Sequence, residues 1–191
     1  MNTIPRVDLA PGYTISRVLK GGWQLAGGHG AIDRGLGIIE RNMRRQVQRE
    51  LITQAQMTEA LGRIKKAPSI AKLGAADLAI EAATENYDLK VKIVKQLDGM
   101  LAPEAIIASN TSSISITKLA AATDRPDRFI GMHFFNPVPL MALLELIRGL
   151  QTSDDTHAKA EAFAKRVGKV PITAKNSPGF AVNRILCPMI N

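Results

Sequence analysis

The sequence predicts an α/β fold in which a mostly parallel sheet is covered by helices on both faces. Two observations carry this prediction. Short apolar runs of the length of buried strands recur along the chain, and segments with helical spacing of their apolar residues separate them. The 191 residues are enough for one domain of ordinary size and a fragment of another.

The first third of the chain is its least regular part. Residues 1–30 form an atypical segment rich in glycine and proline, in which 14–19 is the one candidate strand and the glycines are typical of turns or loops. Residues 33–64 have helical spacing. Within them, Thr53 is expected to cap a second helix, with Gln56 as a weak capping-box partner.

The remainder alternates between strands and helices. Strands are predicted at 77–82, 105–108, 128–134, 143–147 and 170–174, and helices at 89–100, 117–122 and 157–167. From residue 180 the chain is apolar again, which predicts a helix that needs packing partners. We therefore expect an atypical segment at 1–30, one α/β domain at 31–177, and the truncated start of a helical domain at 178–191.

Composition limits the classes of function. No apolar run reaches the roughly 18 residues of a membrane span, and residues 1–6 do not open an apolar signal sequence. Cys187 is the single cysteine, which suits a reducing cytoplasm. The net charge is +8, and the basic cluster at 41–49 fits a phosphate-bearing ligand, a solvated helix face or nucleic acid. Nucleic acid is the weakest interpretation, because no aromatic platform or zinc spacing accompanies the charge.

Three polar clusters follow predicted strands, at 81–86, 109–113 and 133–136. Because ligands bind beyond the carboxyl ends of strands in open α/β sheets, we expect these clusters to meet at one edge. His133 and Glu145, set in an apolar region, have the composition of a general base and its orienting carboxylate. Purely structural interpretations also exist, namely a helix cap at 109–113 and a turn at 136–139.

The chain resembles the 3-hydroxyacyl-CoA dehydrogenases in four features, namely the strings at 109–113, 131–139 and 177–184 and the residue Glu145. The resemblance covers about residues 32–191, and the bacterial 3-hydroxybutyryl-CoA dehydrogenases are the members that the chain resembles most. It implies a Rossmann-like fold, NAD as cofactor and an acyl-CoA substrate. It also implies oxidation of a (3S)-3-hydroxyacyl-CoA to the 3-oxoacyl-CoA, in fatty-acid or butanoate metabolism.

The same resemblance assigns roles to single residues. His133 becomes the base that takes the proton of the 3-hydroxyl, and Glu145 binds its other ring nitrogen. Ser112 and Asn183 are implied to contact substrate oxygens. The implied contacts to NAD are Glu85, Lys90, Ser112 and Asn136. Arg44 and Arg45 are implied, on weaker grounds, to lie where relatives meet the phosphates of CoA.

The chain departs from the family near its start. The glycine-rich turn G-x-G-x-x-G, which lets a backbone approach the NAD pyrophosphate, is missing. The nearest string begins at Gly28 and has Asp33 in place of the third glycine. Residues 13–26 instead resemble the opening of an aldo-keto reductase. We therefore expect the first βαβ unit to be incomplete and NAD binding to be weak or absent.

Two interpretations of the function remain open. One is a dehydrogenase domain altered at its start and cut at its end. The other is an inactive remnant or chimera that acts at most as a binding module. Relatives form homodimers through a helical domain, so we expect dimer formation here only if that domain follows.

Overall fold

The computed structural model describes residues 7–10, 13–15, 19–20, 28–67, 69–70 and 76–190, with side chains from residue 33 onward. The strands are Val7–Ala10 (β1), Tyr13–Ile15 (β2), Leu19–Lys20 (β3), Leu78–Glu81 (β4), Ile106–Ser109 (β5), Phe129–Phe134 (β6), Leu143–Arg148 (β7) and Val170–Lys175 (β8). The α-helices are Gly28–Gln48 (α1), Gln54–Arg63 (α2), Tyr87–Asp98 (α3), Ile116–Ala120 (α4), Asp154–Arg166 (α5) and Val182–Ile190 (α6), and Pro126–Arg128 is a 3₁₀ turn.

Six strands form one sheet in the order β3-β4-β5-β6-β7-β8, and every neighbouring pair is parallel except β6 and β7. The predicted mostly parallel sheet is therefore confirmed. Its first half is small, since β3 contributes only two residues beside β4. Among the strands described, the order follows the chain without the reversal at which a doubly wound sheet binds dinucleotides. In the part of the chain that the structure describes, the first βαβ unit is thus incomplete, as expected.

Two apolar clusters cover the two faces of the sheet, because successive side chains of a strand point to opposite faces. Ile107, Phe129 and Ile147 pack on one face with residues of α3 and α4. On the opposite face, β5, β6 and β7 pack against Ala160 and Ala164 of α5. The helices lie on both faces as predicted, and the carboxyl ends of the parallel strands β4, β5 and β6 lie together at one edge.

Local sequence explains where most helices begin. Thr53 caps α2 in a complete capping box with Gln56, as expected from their spacing. Asn86, Ser115 and Ser153 cap α3, α4 and α5 in the same way, each accepting a hydrogen bond from a backbone N–H three residues on. The loops before α3 and α4 directly follow β4 and β5, so they lie at the carboxyl ends of these two strands.

Two predictions for the first thirty residues were wrong. Gly28 and Gly30 lie in the first turn of α1 and not in a loop, so the string nearest to the missing glycine motif is helical. The single strand predicted at 14–19 is replaced by β2, which pairs with β1 in a separate hairpin, and by β3 in the main sheet. Residues 16–18 and 21–27 lie outside the described part, and with them most of the string that resembles an aldo-keto reductase.

Candidate active site

His133 and Glu145 face each other directly across β6 and β7. The two strands are antiparallel and pair these residues in register, so both side chains lie on the same face of the sheet. His133 Nδ1 lies 2.6 Å from Glu145 Oε2. The histidine is 5% exposed and the glutamate 0%. Because an ionised carboxylate only accepts hydrogen bonds, this contact assigns the ring proton to Nδ1 and leaves a lone pair on Nε2.

The free nitrogen of His133 points to the loop after β5. Its Nε2 lies 3.2 Å from the Ser112 hydroxyl oxygen, and Ser112 is partly exposed. The rings of Phe135 and Phe180 lie 4.6 and 5.7 Å from the imidazole ring. The imidazole therefore contacts two aromatic rings, while a carboxylate lies at one ring nitrogen and a hydroxyl at the other.

The second oxygen of Glu145 is also occupied. Oε1 accepts hydrogen bonds from the backbone N–H groups of Ala181 and Val182, each at 2.9 Å. These groups lie at the start of α6, where backbone N–H groups have no partner within the helix. One buried carboxylate thus joins the imidazole of β6 to the first turn of α6.

Glu85 joins the polar clusters at 81–86 and 109–113 at the rim of the site, beside His133. One of its oxygens accepts hydrogen bonds from the hydroxyls of Thr111 and Ser113 and from the backbone N–H groups of Ser112 and Ser113, at 2.5–3.0 Å. Burial acts to raise the pKa of the Glu85 carboxyl, but these hydrogen bonds, helped by the charge of Lys90, outweigh it and hold the pKa below its ordinary value. The carboxylate therefore fixes the loop that carries Ser112.

The three predicted clusters do meet at one sheet edge. Ser112 contacts both Glu85 and His133, and Asn110 accepts a hydrogen bond from the backbone N–H of Phe134 at 2.8 Å. The helix cap predicted within 109–113 lies two residues further on, because Ser115 is the residue that caps α4.

Lys90, a predicted contact of NAD, lies in the interior beside Glu81 and Glu85. Its side chain is fully buried, and Nζ binds both carboxylate oxygens of Glu81 at 2.9 Å and the carbonyl of Ala83 at 3.2 Å. Glu85 lies 3.7 Å from the same ammonium. The Lys90 ammonium thus directs its donors at protein oxygens and supports Glu81 and Glu85 from the interior, and its contact with NAD stays a prediction.

The other predicted residues are placed less closely around His133. Asn136 follows β6 and is exposed beside the site, and Asn183 lies half-buried in the first turn of α6. Arg44 and Arg45 are exposed on α1, where Arg44 pairs with Glu40. Within the described part of the chain, no hydrogen bond or ion pair joins either arginine to His133, Glu145 or Ser112.

Sequence analysis placed Glu81 and Ser109 within two of the polar clusters but assigned neither of them a role. Glu81 is 1% exposed, and it accepts a hydrogen bond from the Ser109 hydroxyl at 2.6 Å as well as those of Lys90. The available signal was a charged residue that ends an apolar strand and a lysine nine residues later on a helix. Buried charges are rarely tolerated unless they are paired.

Other kinds of site are not found in the described residues. No group of three or more His, Cys, Asp or Glu side chains there is arranged to hold a metal ion. None of the helices seen in the described part is both long and apolar enough to cross a membrane.

Known proteins resemble this chain over most of its length. Residues 27–177 match the family described as 3-hydroxyacyl-CoA dehydrogenase, NAD binding domain. A 3-hydroxybutyryl-CoA dehydrogenase from Bradyrhizobium diazoefficiens is 52% identical over 157 residues, which cover 82% of this chain and 54% of that protein. A probable 3-hydroxybutyryl-CoA dehydrogenase from Deinococcus radiodurans is 48% identical over 160 residues, covering 84% of this chain and 57% of the relative.

A solved structure agrees with these relatives. The crystal structure of (S)-3-hydroxybutyryl-CoA dehydrogenase from Ralstonia eutropha superposes with a TM-score of 0.84 at 63% identity, covering 86% of this chain and 58% of that one. The chain thus spans little more than half the length of these proteins. The match over 27–177 and the shared fold establish that the chain belongs to the family of 3-hydroxyacyl-CoA dehydrogenase NAD-binding domains.

Proposed function

We propose that this chain carries the base and part of the cofactor site of an enzyme that oxidises (3S)-3-hydroxyacyl-CoA, such as 3-hydroxybutyryl-CoA, to 3-oxoacyl-CoA. The observation that carries the proposal is the chain of contacts from Glu145 through His133 to Ser112, at 2.6 and 3.2 Å. The proposal is also supported by relatives named 3-hydroxybutyryl-CoA dehydrogenase.

In this reaction His133 Nε2 takes the proton of the 3-hydroxyl as C3 becomes a carbonyl carbon. Glu145 keeps the acceptor nitrogen facing the substrate and stabilises the imidazolium that forms, because its negative charge lies 2.6 Å from the ring. Ser112 offers a hydroxyl to the same substrate oxygen, and Asn183 is proposed as a second contact. NAD, when bound, accepts the hydride that leaves C3.

The polar groups beside His133 suit the nicotinamide end of the cofactor. Donors and acceptors for a carboxamide and for ribose hydroxyls come from three side chains, the Ser112 hydroxyl, the exposed Asn136 amide and the Glu85 carboxylate. The pyrophosphate end is less well supported, since Gly28 and Gly30 are helical and the sequence lacks the glycine-rich turn. Cofactor contacts from this chain are therefore proposed for Glu85, Ser112 and Asn136, with Lys90 acting from beneath.

The wider setting belongs to the same proposal. Residues 31–177 would form the NAD-binding domain, 1–30 an atypical segment and 178–191 the start of a helical domain. Arg44 and Arg45, exposed on α1, would meet the CoA phosphates, because Arg suits phosphate recognition. We place the protein in the cytoplasm, where its single cysteine would stay reduced, and its assembly would be the homodimer of the family.

Reduction of acetoacetyl-CoA by NADH tests the proposal in the direction that is easily followed by absorbance. We expect turnover that falls by a factor of about 10²–10⁴ in His133→Ala, the usual contribution of a general base. His157→Ala is the matched control, because His157 is partly exposed on α5 and its ring pairs with Thr173 of β8. Turnover that survives in His133→Ala, or equal losses in both variants, would contradict the role of His133.

Direct binding of NADH separates this enzyme from an inactive remnant. Because the glycine-rich turn is missing, we expect isothermal titration calorimetry to show weak or no binding, and turnover to require a large excess of NADH. Micromolar affinity would show that the turn is dispensable here. No turnover at saturating NADH would favour the binding-module alternative.

A further inference from the structure

We propose that Glu145 is also a positioning residue for α6, so that one carboxylate sets both the orientation of the base and the position of the helix that carries Asn183. The inference rests on the proposed function only for the role of Asn183. The link itself is a feature of the fold, since Oε2 contacts His133 and Oε1 contacts the backbone of Ala181 and Val182.

The first support is the chemistry of the contact. A carboxylate at the start of a helix satisfies N–H groups that the helix leaves unpaired, and it is attracted to the positive end of the helix dipole. Glu145 is 0% exposed, so water does not compete for either oxygen. Among the described residues, these two hydrogen bonds are the ones that join the first turn of α6 to the sheet.

The second support is the turn that leads into α6. Gly179 and Phe180 both have positive φ, at 74° and 50°. A phenylalanine rarely adopts this conformation, and it persists only where the surroundings hold it in place. Phe180 is 3% exposed and lies edge-on to the His133 ring. The turn therefore contacts both members of the His133–Glu145 pair, and Phe180 also packs in the apolar core of the sheet.

The third support is how little else attaches α6. None of its residues is buried, and its apolar residues Ile185, Leu186, Met189 and Ile190 are exposed to between 45% and 78%. Among the described residues, the contacts of its first turn are therefore the main attachment of α6. Movement of Glu145 would therefore move α6, and displacement of α6 would change the contact between Glu145 and His133.

A single backbone change isolates the link. Val182→Pro removes one N–H donor to Glu145, and proline is well tolerated at the first position of a helix. Val182→Ala also removes most of the valine side chain but keeps the backbone N–H group, so it is the reference variant. We expect hydrogen–deuterium exchange of α6 to be roughly tenfold faster in Val182→Pro than in Val182→Ala, as for loss of one hydrogen bond to a charged group. Exchange in β5 and β6 should be the same in both.

A spectroscopic readout tests whether a change at α6 alters the hydrogen bond between His133 and Glu145. The proton on His133 Nδ1, in a 2.6 Å hydrogen bond, should give a far-downfield NMR signal. We expect this signal to shift in Val182→Pro and to stay in place in Val182→Ala. Equal exchange of α6 in the two variants, or a signal that does not move, would overturn the proposal.

Variants of Glu145 itself give a rescue experiment. Glu145→Ala should release α6, and Glu145→Gln should restore its protection because the amide oxygen still accepts from both backbone groups. Fast exchange of α6 in both variants would count against the link. If Glu145→Ala unfolds the chain, the proline and alanine variants still decide the question. None of these measurements needs turnover or NADH, so they remain valid even if the proposed activity fails.

Discussion

Replacing Glu145 by glutamine is expected to put the ring proton of His133 on the wrong nitrogen. The backbone N–H groups of Ala181 and Val182 both need an acceptor, so they hold the amide oxygen of the new side chain where Oε1 now lies. Its NH₂ group then faces His133 Nδ1 and donates to it. A ring nitrogen that accepts a hydrogen bond carries no proton, so the proton moves to Nε2, the position that must act as the base.

The structure sets the size of this effect. Three hydrogen bonds to a charged carboxylate, at 2.6, 2.9 and 2.9 Å, become three neutral ones. Bonds to charged groups contribute about 1 kcal/mol more than neutral bonds, and the lower desolvation cost of an amide offsets part of the sum. We expect a loss of about 1–3 kcal/mol in the free energy of unfolding, which lowers Tm by roughly 2–12 °C for a chain of this size. Activity should fall far more, by a factor of up to about 10²–10⁴, because the wrong tautomer removes the contribution of the base.

Nitrogen-15 NMR of the labelled histidine ring measures the tautomer directly, and thermal unfolding measures the stability. Glu104→Gln serves as the control, because Glu104 is exposed and the same change of charge there should leave both readouts as in the wild type. If Glu145→Gln keeps the proton of His133 on Nδ1, the argument that α6 orients the amide is wrong.

Three further predictions concern stability. Gly179→Ala should destabilise the fold by about 1–3 kcal/mol and clearly more than Gly168→Ala in chemical denaturation, because both have φ near 74° but the new Cβ meets Arg184 N at 3.1 Å only at 179; equal losses would show that contact to be harmless. Lys90→Met should cost about 3–5 kcal/mol, since it leaves a buried carboxylate unpaired, and Lys92→Met on the exposed face of the same helix should cost little in the same assay. The lowered pKa of Glu85 means that its contribution to stability is present above the ordinary value of 4.5 and is lost as pH falls through the folded value, so Glu85→Gln should flatten acid unfolding below pH 4.5; an unchanged acid profile would contradict this.

Most of the fold could be predicted from the sequence, because the strands and helices differ clearly in length and in the spacing of their apolar residues. The capping box at Thr53 and Gln56 and the strands from β4 to β8 were predicted close to their observed bounds. The glycines at 28 and 30 were misread because glycine is permissive in turns and in helices alike, and local composition does not separate the two. The hairpin of β1 and β2 was missed because its strands have only four and three residues, although apolar and polar residues alternate over the first three positions of each.

The candidate site was only partly visible in the sequence. The residue types of His133 and Glu145 indicate chemistry, but the antiparallel pairing that sets them face to face depends on the path of the chain between β6 and β7. The burial of Lys90 is a tertiary property, since a lysine on a helix is ordinarily exposed. The contacts of Glu145 with Ala181 and Val182 use backbone groups, which leave no mark in the sequence at all.

The buried pair of Glu81 and Lys90 constrains how this domain can change over evolutionary time. Losing either partner alone leaves a charge without compensation in the interior, whereas exchanging both for apolar residues of similar volume is often neutral or stabilising. The two positions should therefore vary together among homologues, through rare double replacements and not through single intermediates. Ser109, which donates to the same carboxylate, should follow them.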